Sequence, residues 1–339
     1  MSGKSRYSLQ LAVLFVIIIF LIILDISSGT VKISFAEFFS YVSGSEDISR
    51  QHLVILRDFR IPRVLTAVLA GAALSVSGLQ MQTIFRNPLA GPYVLGISSG
   101  ASLGAAIVVL GTGTLATGII ADWGIVAAAW MGAAVVMFLL LLVTLRIRNI
   151  MTILILGIMF SSGLSAIISI MQYFGSAAAL KSFVIWSMGS LGDVTNSSLI
   201  VMTITLIPGL ILAVLTVKGL NGMMLGEEYA SSVGINVRRT RTLVFISTSI
   251  LAGTVTAFCG PIGFIGIAVP HITRFLIGKS DMRYLFPATL LCGIAILLIS
   301  DLISQVPGSE RILPLNAVTS LIGIPVVIWV VIKGRKLAN

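Results

Sequence analysis

The stretch Gly226-Glu227-Glu228-Tyr229-Ala230-Ser231-Ser232-Val233-Gly234-Ile235-Asn236-Val237-Arg238-Arg239-Thr240-Arg241 is the longest polar interruption in a chain that is otherwise mostly apolar. Two acids open it, small residues fill it and three arginines close it. The backbone dipole of a helix is positive at its start and negative at its end, so acids favour the first turn and cations the last. The pattern predicts a short surface helix over residues 226–233, with Gly234 as its C-terminal stop. A plain solvated connector has the same composition. A short helix on the face of a membrane bundle otherwise needs a partner to account for it.

The surroundings of this stretch are membrane. The chain has 339 residues, is 57% hydrophobic and 10% charged, and has a mean hydropathy of +1.09. Soluble domains carry roughly a quarter charged residues. A hydrocarbon core of about 30 Å takes roughly 20 apolar residues per helix, which leaves room for about nine to eleven spans and little for a soluble domain. The net charge of +10 is read as topology and an anionic inner leaflet, not as a nucleic-acid surface. Cys259 and Cys292 lie in apolar runs without metal-like spacing and read as small packing residues. The run Leu9 to Leu24 exceeds a signal-peptide core and has no cleavage pattern after it, so it is counted as a span.

Apolar runs place ten helices in a single transmembrane domain over 1–339, near 9–28, 62–84, 93–111, 123–145, 150–174, 196–217, 241–260, 262–277, 284–304 and 312–332. The fold class is therefore all-α and polytopic. Fifteen of the 22 basic residues fall on the side of the termini, against three of the 12 acids. The positive-inside rule puts both termini and the 219–241 loop in the cytoplasm. In the first outer loop, 29–61, Phe35, Phe38 and Phe39 predict a helix lying in the interface. Arg57, Arg60 and Arg63 then recur every three residues just outside a span. They either snorkel and anchor the helix end or form a docking patch for an acidic partner outside.

Further along, Pro88 and Pro92 force a turn at the cytoplasmic face. Gly96, Gly100 and Gly104 form a stripe that lets helix backbones approach closely. Gly157, Ser161, Ser165 and Ser169 share one face of the fifth span, either as interhelical glue or as the wall of a wet path. An internal echo at an offset of 182 matches Leu69-Ala70-Gly71, Gly78, Pro88 and Gly96 with Leu251-Ala252-Gly253, Gly260, Pro270 and Gly278. The two copies would run in opposite directions, the arrangement of inverted-repeat transporters. His271 could relay protons, although a lone histidine at a helix end more often bonds a neighbour. Gly278-Lys279-Ser280 is no phosphate loop, because position 273, where the motif needs glycine, is threonine.

Taken in order, several segments resemble the FecCD family of ABC permeases, the iron-chelate and cobalamin importers with a BtuC-like fold. They are Arg60-Ile61-Pro62-Arg63, Gly71-Ala72-Ala73-Leu74, Arg86-Asn87-Pro88-Leu89-Ala90-Gly91-Pro92, Leu95-Gly96 with Gly100-Ala101, and Trp186-Ser187-Met188-Gly189. After them come the 226–234 stretch, Gly263-Phe264-Ile265-Gly266 through Pro270-His271 and Arg274, and Leu321-Ile322-Gly323-Ile324-Pro325. The resemblance implies a ten-helix subunit of the bacterial plasma membrane that hydrolyses nothing and holds no cofactor. ATP and magnesium would sit on a cytoplasmic ATPase dimer. A second permease copy or paralogue would complete the pore, an external binding protein would deliver substrate, and lipid would be the remaining partner.

The resemblance also assigns residues. Gly226, Glu227, Glu228, Ala230 and Gly234, with Arg238 and Arg239, match the segment that couples to the ATPase. Arg60 and Arg63 match outer arginines that receive acids of the binding protein, with Arg57 as a helper. A third such arginine would fall near Gln305, with Arg311 close by. Ile312-Leu313-Pro314 and Asn316 depart from the family's Glu-Leu-Pro and glycine. These departures resemble one branch of hydroxamate-siderophore permeases, so a ferric siderophore is the favoured substrate, with cobalamin and heme as alternatives.

An ion-coupled secondary transporter is the rival from another class. It would carry ionisable residues near the midplane. Asp25 and Asp301 instead lie near the outer ends of their spans, and no buried acid pair is expected. A membrane enzyme finds no Ser/His/Asp, metal-ligand or paired-carboxylate grouping in the sequence.

Overall fold

The structure is a computed structural model that describes residues 3–29, 31, 33–43, 49–111, 119–147, 149–305 and 312–336. Helices dominate it: α1 (Gly3–Ser27), α2 (Phe35–Ser43), α3 (Arg50–Val54), α4 (Ile61–Phe85), α5 (Ile97–Gly111), α6 (Ile119–Arg146), α7 (Ile150–Phe174), α8 (Ala177–Ser187), α9 (Asn196–Met224), α10 (Glu227–Ser232), α11 (Val237–Cys259), α12 (Ile265–Ile277), α13 (Met282–Ser304) and α14 (Leu315–Lys336). Among the described residues, seven helical stretches are long and apolar enough to cross a membrane, and α5, α8, α12 and α14 supply shorter apolar helices.

Where helices depart from the apolar runs, the causes are local. α5 begins at Ile97, not near 93, because Pro92–Leu95 wind into a 3-10 turn that ends on Gly96 at φ 77°. α12 begins at Ile265, after a non-helical segment that runs from Gly260 (φ 70°) to Phe264 (φ 64°). α8 escaped the hydropathy argument because Lys181 and Ser182 split its apolar run; Ser176 caps it by accepting from the Ala179 N–H. α2 does form where the phenylalanines predicted a helix, with Phe39 exposed and Phe38 packed on the core.

α4 is the central helix, buried from Ala70 to Phe85. It packs along α13, α12, α9 and α11. Its glycines make that possible: a Cβ on Gly71 would strike the backbone of Gly293 in α13, and one on Gly78 would strike the backbone of Gly266 in α12. The Gly96 stripe has the predicted packing role. Gly100 meets the Gly132 backbone and Gly104 the Ala128 carbonyl, both in α6. At an offset of 182, Gly253 of α11 faces Ala133 of α6 as Gly71 of α4 faces α13. The equivalence weakens at Gly260, which lies just past the end of α11 and packs on the Trp186 carbonyl in the last turn of α8 and on Gly189.

Several polar side chains inside this core are bonded to each other. Gln80 of α4 donates to Thr216 Oγ1 at 3.1 Å and accepts from Ser247 at 3.2 Å and Thr248 at 3.3 Å. Ser247 also lies 2.9 Å from the Gly209 carbonyl. One amide therefore joins α4, α9 and α11. His271 lies 2.7 Å from the Pro88 carbonyl, the neighbour-bonding role and not a relay.

Close backbone contact leads to a test. Gly78→Val should destabilise the purified subunit by at least about 1–3 kcal/mol, the usual cost of overpacking, and lower its apparent Tm in detergent. Gly111→Ala, where a Cβ meets nothing within 4 Å, should leave it unchanged. Equal Tm values for the two variants would contradict this packing.

Candidate functional site

Two polar assemblies stand apart from the apolar core. The first is α10. Gly226, at φ 130°, turns the chain out of α9 and into α10. Glu227 and Glu228 occupy the first turn, where the dipole favours them. The helix stops as Gly234 predicted. Gly234 takes a φ of 82°, its N–H reaches the Ser231 carbonyl at 3.0 Å, and the Ile235 N–H reaches the Ala230 carbonyl at 2.9 Å. This pair of bonds closes a Schellman turn.

The basic residues belong elsewhere than the dipole argument put them. α10 ends at Ser232, and Arg238, Arg239 and Arg241 lie in the opening turns of α11, which Asn236 caps through the Arg239 N–H at 2.9 Å. Glycine stops α10 without cationic help. Arg241 turns back towards α10, with Nη2 2.6 Å from Glu227 Oε1.

α10 presents two faces. Ala230 is fully buried, and it packs with Ile235 on Gly222 of α9. Outward, Glu228, Tyr229, Ser231, Ser232 and Val233 are exposed, along with Leu225 before the helix and Arg238 and Arg239 after it. A cavity of about 550 Å³ opens beside it, lined by Arg86, Asn149, Leu225, Glu227, Glu228 and Tyr229 among others. Arg86, in a left-handed conformation at φ 47°, donates to the Met223 carbonyl at 2.9 Å and so ties the end of α4 to the end of α9. Nearby, Asn221 of α9 donates to Asp281 at 2.8 Å and accepts from the Met282 N–H at 2.7 Å. The Arg283 guanidinium and backbone N–H, helped by this Asn221 amide, hold the Asp281 carboxyl well below the usual carboxylate range. The sequence reading missed this link, since Asn221 and Asp281 are 60 residues apart.

The second assembly is at the other end of α4. A π-helical turn, Ile55–Arg60, joins α3 to α4 and points the three arginines in different directions. Only Arg57 faces out, with its side chain 69% exposed. Arg60 is buried, and its guanidinium donates to the carbonyls of Ile26 and Val31. Arg63 grips Asp301 with Nε at 2.8 Å and Nη2 at 2.8 Å, and reaches Ser304 at 3.2 Å. Internal acceptors turn Arg60 and Arg63 inward in the isolated subunit, so of the three arginines Arg57 is the one with an exposed charge. Gln305, at the place of a third arginine, donates to Asp25 at 2.6 Å and to Asp301 at 3.0 Å. Arg311 lies outside the described residues.

A buried acid pair is thus present where none was expected. Asp25 and Asp301 are each 1% exposed and share the Gln305 amide. Hydropathy could not show it, because the two acids sit 276 positions apart on α1 and α13 and meet only when both helices pack on α4. Beside them a cavity of about 470 Å³ is lined by Arg60, Arg63, Ser190, Asp193, Gln305 and Ile312 among others.

The serine stripe of α7 is divided. Gly157 is buried against the backbone of Val94 and Leu95. Ser161 donates to the Gly157 carbonyl at 3.0 Å and Ser169 to the Ser165 carbonyl at 2.9 Å. Those hydroxyls bond within their own helix, and Ser165 and Ser169 lie on its exposed face.

The structure is a helical membrane bundle with a short polar helix anchored on one face and an arginine-bearing rim at the far end of its central helix, the layout expected of a membrane permease. Comparison with known proteins agrees. Residues 17–333 match the FecCD transport family. The chain is 33% identical over 337 residues to the hemin transport system permease protein HmuU of Yersinia pestis, covering 99% of each chain. It is 35% identical over 306 residues to the vitamin B12 import system permease protein BtuC of Klebsiella pneumoniae, covering 90% of this chain and 91% of that one. A solved structure of a metal-chelate type ABC transporter in an inward-facing conformation superposes with a TM-score of 0.83 at 26% identity, covering 95% of this chain and 98% of the other.

The chain belongs to the FecCD transport family. It is a multi-pass membrane permease of an ABC importer, carries no cofactor and is not itself catalytic; an ATPase and a binding protein are its partners. The ion-coupled alternative falls with that assignment.

The inward arginine predicts a sharp contrast. Arg63→Ala leaves Asp301 buried without its cationic partner and should destabilise the subunit by about 3–5 kcal/mol. Arg57→Ala, at an exposed site, should stay within about 0.5 kcal/mol of the parent. Thermal unfolding in detergent checks both, and a silent Arg63→Ala would contradict the buried pair.

Proposed function

We propose that this subunit imports a ferric siderophore, of the hydroxamate type, across a bacterial plasma membrane with both termini and α10 in the cytoplasm. Two such subunits, identical or paralogous, would enclose the path, with an ATPase dimer beneath and a binding protein above. The observation that carries the coupling role is the two-sided anchoring of α10. Its inner face is fixed by Ala230 and the Glu227–Arg241 pair, while Glu228, Tyr229 and Val233 are left for a partner. Gly226 and Gly234 set its ends, and Arg238 and Arg239 supply exposed charge beside it.

Departures at Ile312-Leu313-Pro314 and Asn316 support the hydroxamate branch. Asn316 has a structural use of its own: its Oδ1 accepts from the Gly263 N–H at 2.9 Å, holding the non-helical segment before α12. A heme reading is favoured by the end-to-end match to the hemin permease HmuU. The binding protein that copurifies with the complex decides between them. Tryptophan quenching by a ferric hydroxamate, and none by hemin or cobalamin, is the expected result, and quenching by hemin alone would replace the siderophore assignment.

At the outer rim, docking of the binding protein would rest on Arg57, with Arg60 and Arg63 shaping the surface from within. Arg57→Glu should weaken docking at low salt more than at high salt, since rim charges govern encounter and orientation. Equal affinity at both ionic strengths would remove Arg57 from the interface.

For coupling, Glu227→Arg and Gly234→Trp should each leave the bundle assembled yet abolish substrate-stimulated ATPase activity in the reconstituted complex. A Cβ at position 234 meets nothing within 4 Å, but a side chain there strains a φ of 82° and adds bulk beside the exposed face of α10. Full stimulation in both variants would contradict the coupling role.

A further inference from the structure

We propose that Arg241 is the positioning residue that carries displacement of α10 into α11, acting through Glu227. The proposal rests on the coupling role set out above and adds the route into the bundle. Among the described residues, two attachments of α10 stand out. One is apolar, Ala230 and Ile235 against Gly222, and it leads to α9. The other is ionic and leads to α11: Arg241 and Glu227 meet at 2.6 Å, with side chains 10% and 40% exposed. Apolar surfaces can slide over each other at little cost, because their attraction has no direction. A charge-assisted hydrogen bond is short, directional and roughly twice as strong as a neutral one. Withdrawal of the guanidinium from water also makes its partner costly to lose.

No other described cation forms an ion pair with Glu227. Arg86 bonds to the Met223 carbonyl, and Arg238 and Arg239 are exposed. Beyond Arg241 the helix is well gripped. Ser247 and Thr248 hold Gln80 of α4, and at the far end the Cys259 carbonyl accepts from the Ser190 N–H at 2.9 Å. Ser190 lines the outer cavity with Arg63 and Asp193. One continuous helix, α11, therefore runs from the ion pair to the wall of the outer cavity. A push on the exposed Glu228–Tyr229 face of α10 moves Glu227 with it, and Arg241 passes that movement along α11.

The test uses the whole complex (permease, ATPase, and binding protein with substrate) in lipid vesicles, and reads the ratio of stimulated to unstimulated ATPase rates. Arg241→Gln should lower the ratio at least fivefold. The charge swap Glu227→Arg with Arg241→Glu should recover at least half of it, which a residue needed only for stability would not do. An undiminished ratio in Arg241→Gln, or a swap as uncoupled as the single variant, would overturn the proposal. Should Arg241→Gln fail to assemble, Arg241→Lys against Glu227→Gln decides: retention in the first and loss in the second supports the strut, and equal ratios overturn it. Glu228→Arg and Tyr229→Ala separate the two levels. If they uncouple while the Arg241 variants do not, only the strut is lost; if neither set uncouples, the coupling role of α10 is lost as well.

Discussion

Backbone contact between α4 and its neighbours is the constraint on which the rest of the structure depends. Inside a bilayer, helix association gains little from the hydrophobic effect, because lipid tails are as apolar as leucine. Close approach and satisfied polar groups must supply the attraction instead. Gly71 against Gly293 and Gly78 against Gly266 bring three helices to backbone distance. Gln80 and Gln82 then find partners that only this approach allows: Gln80 bonds α9 and α11, while Gln82 donates to the Ile267 carbonyl at 3.0 Å and accepts from Arg274 at 2.6 Å. α4 is thus a rigid post, and both functional ends of the molecule are hung from it.

Those ends are built on opposite logic. The outer rim draws its arginines inward, so that Arg63 compensates Asp301 and Arg60 satisfies backbone carbonyls. Charge there stabilises the junction of α1, α4 and α13, and leaves a shaped cavity behind. At the other end, α10 is tied to the bundle by the Glu227–Arg241 pair and leaves most of its polar surface open. A helix fixed on one side and open on the other suits the coupling role proposed above. The need for a motor follows from the family, since an ABC permease has no hydrolytic chemistry of its own.

Much of this was legible before any coordinates. Long apolar runs marked the helices because their signal is local, the acids at 227 and 228 marked the start of α10, and the glycine at 234 marked its end because a positive φ excludes most other residues. What failed was the pairing of charged groups between distant positions. Periodic spacing of Arg57, Arg60 and Arg63 implied one face, but the π-helical turn over Ile55–Arg60 breaks that face apart. The acids at 25 and 301 looked solitary, and only packing of α1 and α13 on α4 brings them to Gln305. The arginines after Gly234 were credited to the helix before them, yet Asn236 starts a new helix and Arg241 pairs backwards. Hydropathy shows which segments are buried, and says little about which polar groups meet there.

The account stands or falls on which side of the membrane α10 occupies. Both cysteines, Cys259 and Cys292, are buried, so a cysteine placed at the exposed Ser231 can be labelled against a low background. With an impermeant maleimide, Ser231→Cys should stay unlabelled in intact cells and react fully in inside-out vesicles. Labelling in intact cells would put α10 outside, away from any nucleotide-driven motor, and would contradict the account at its centre.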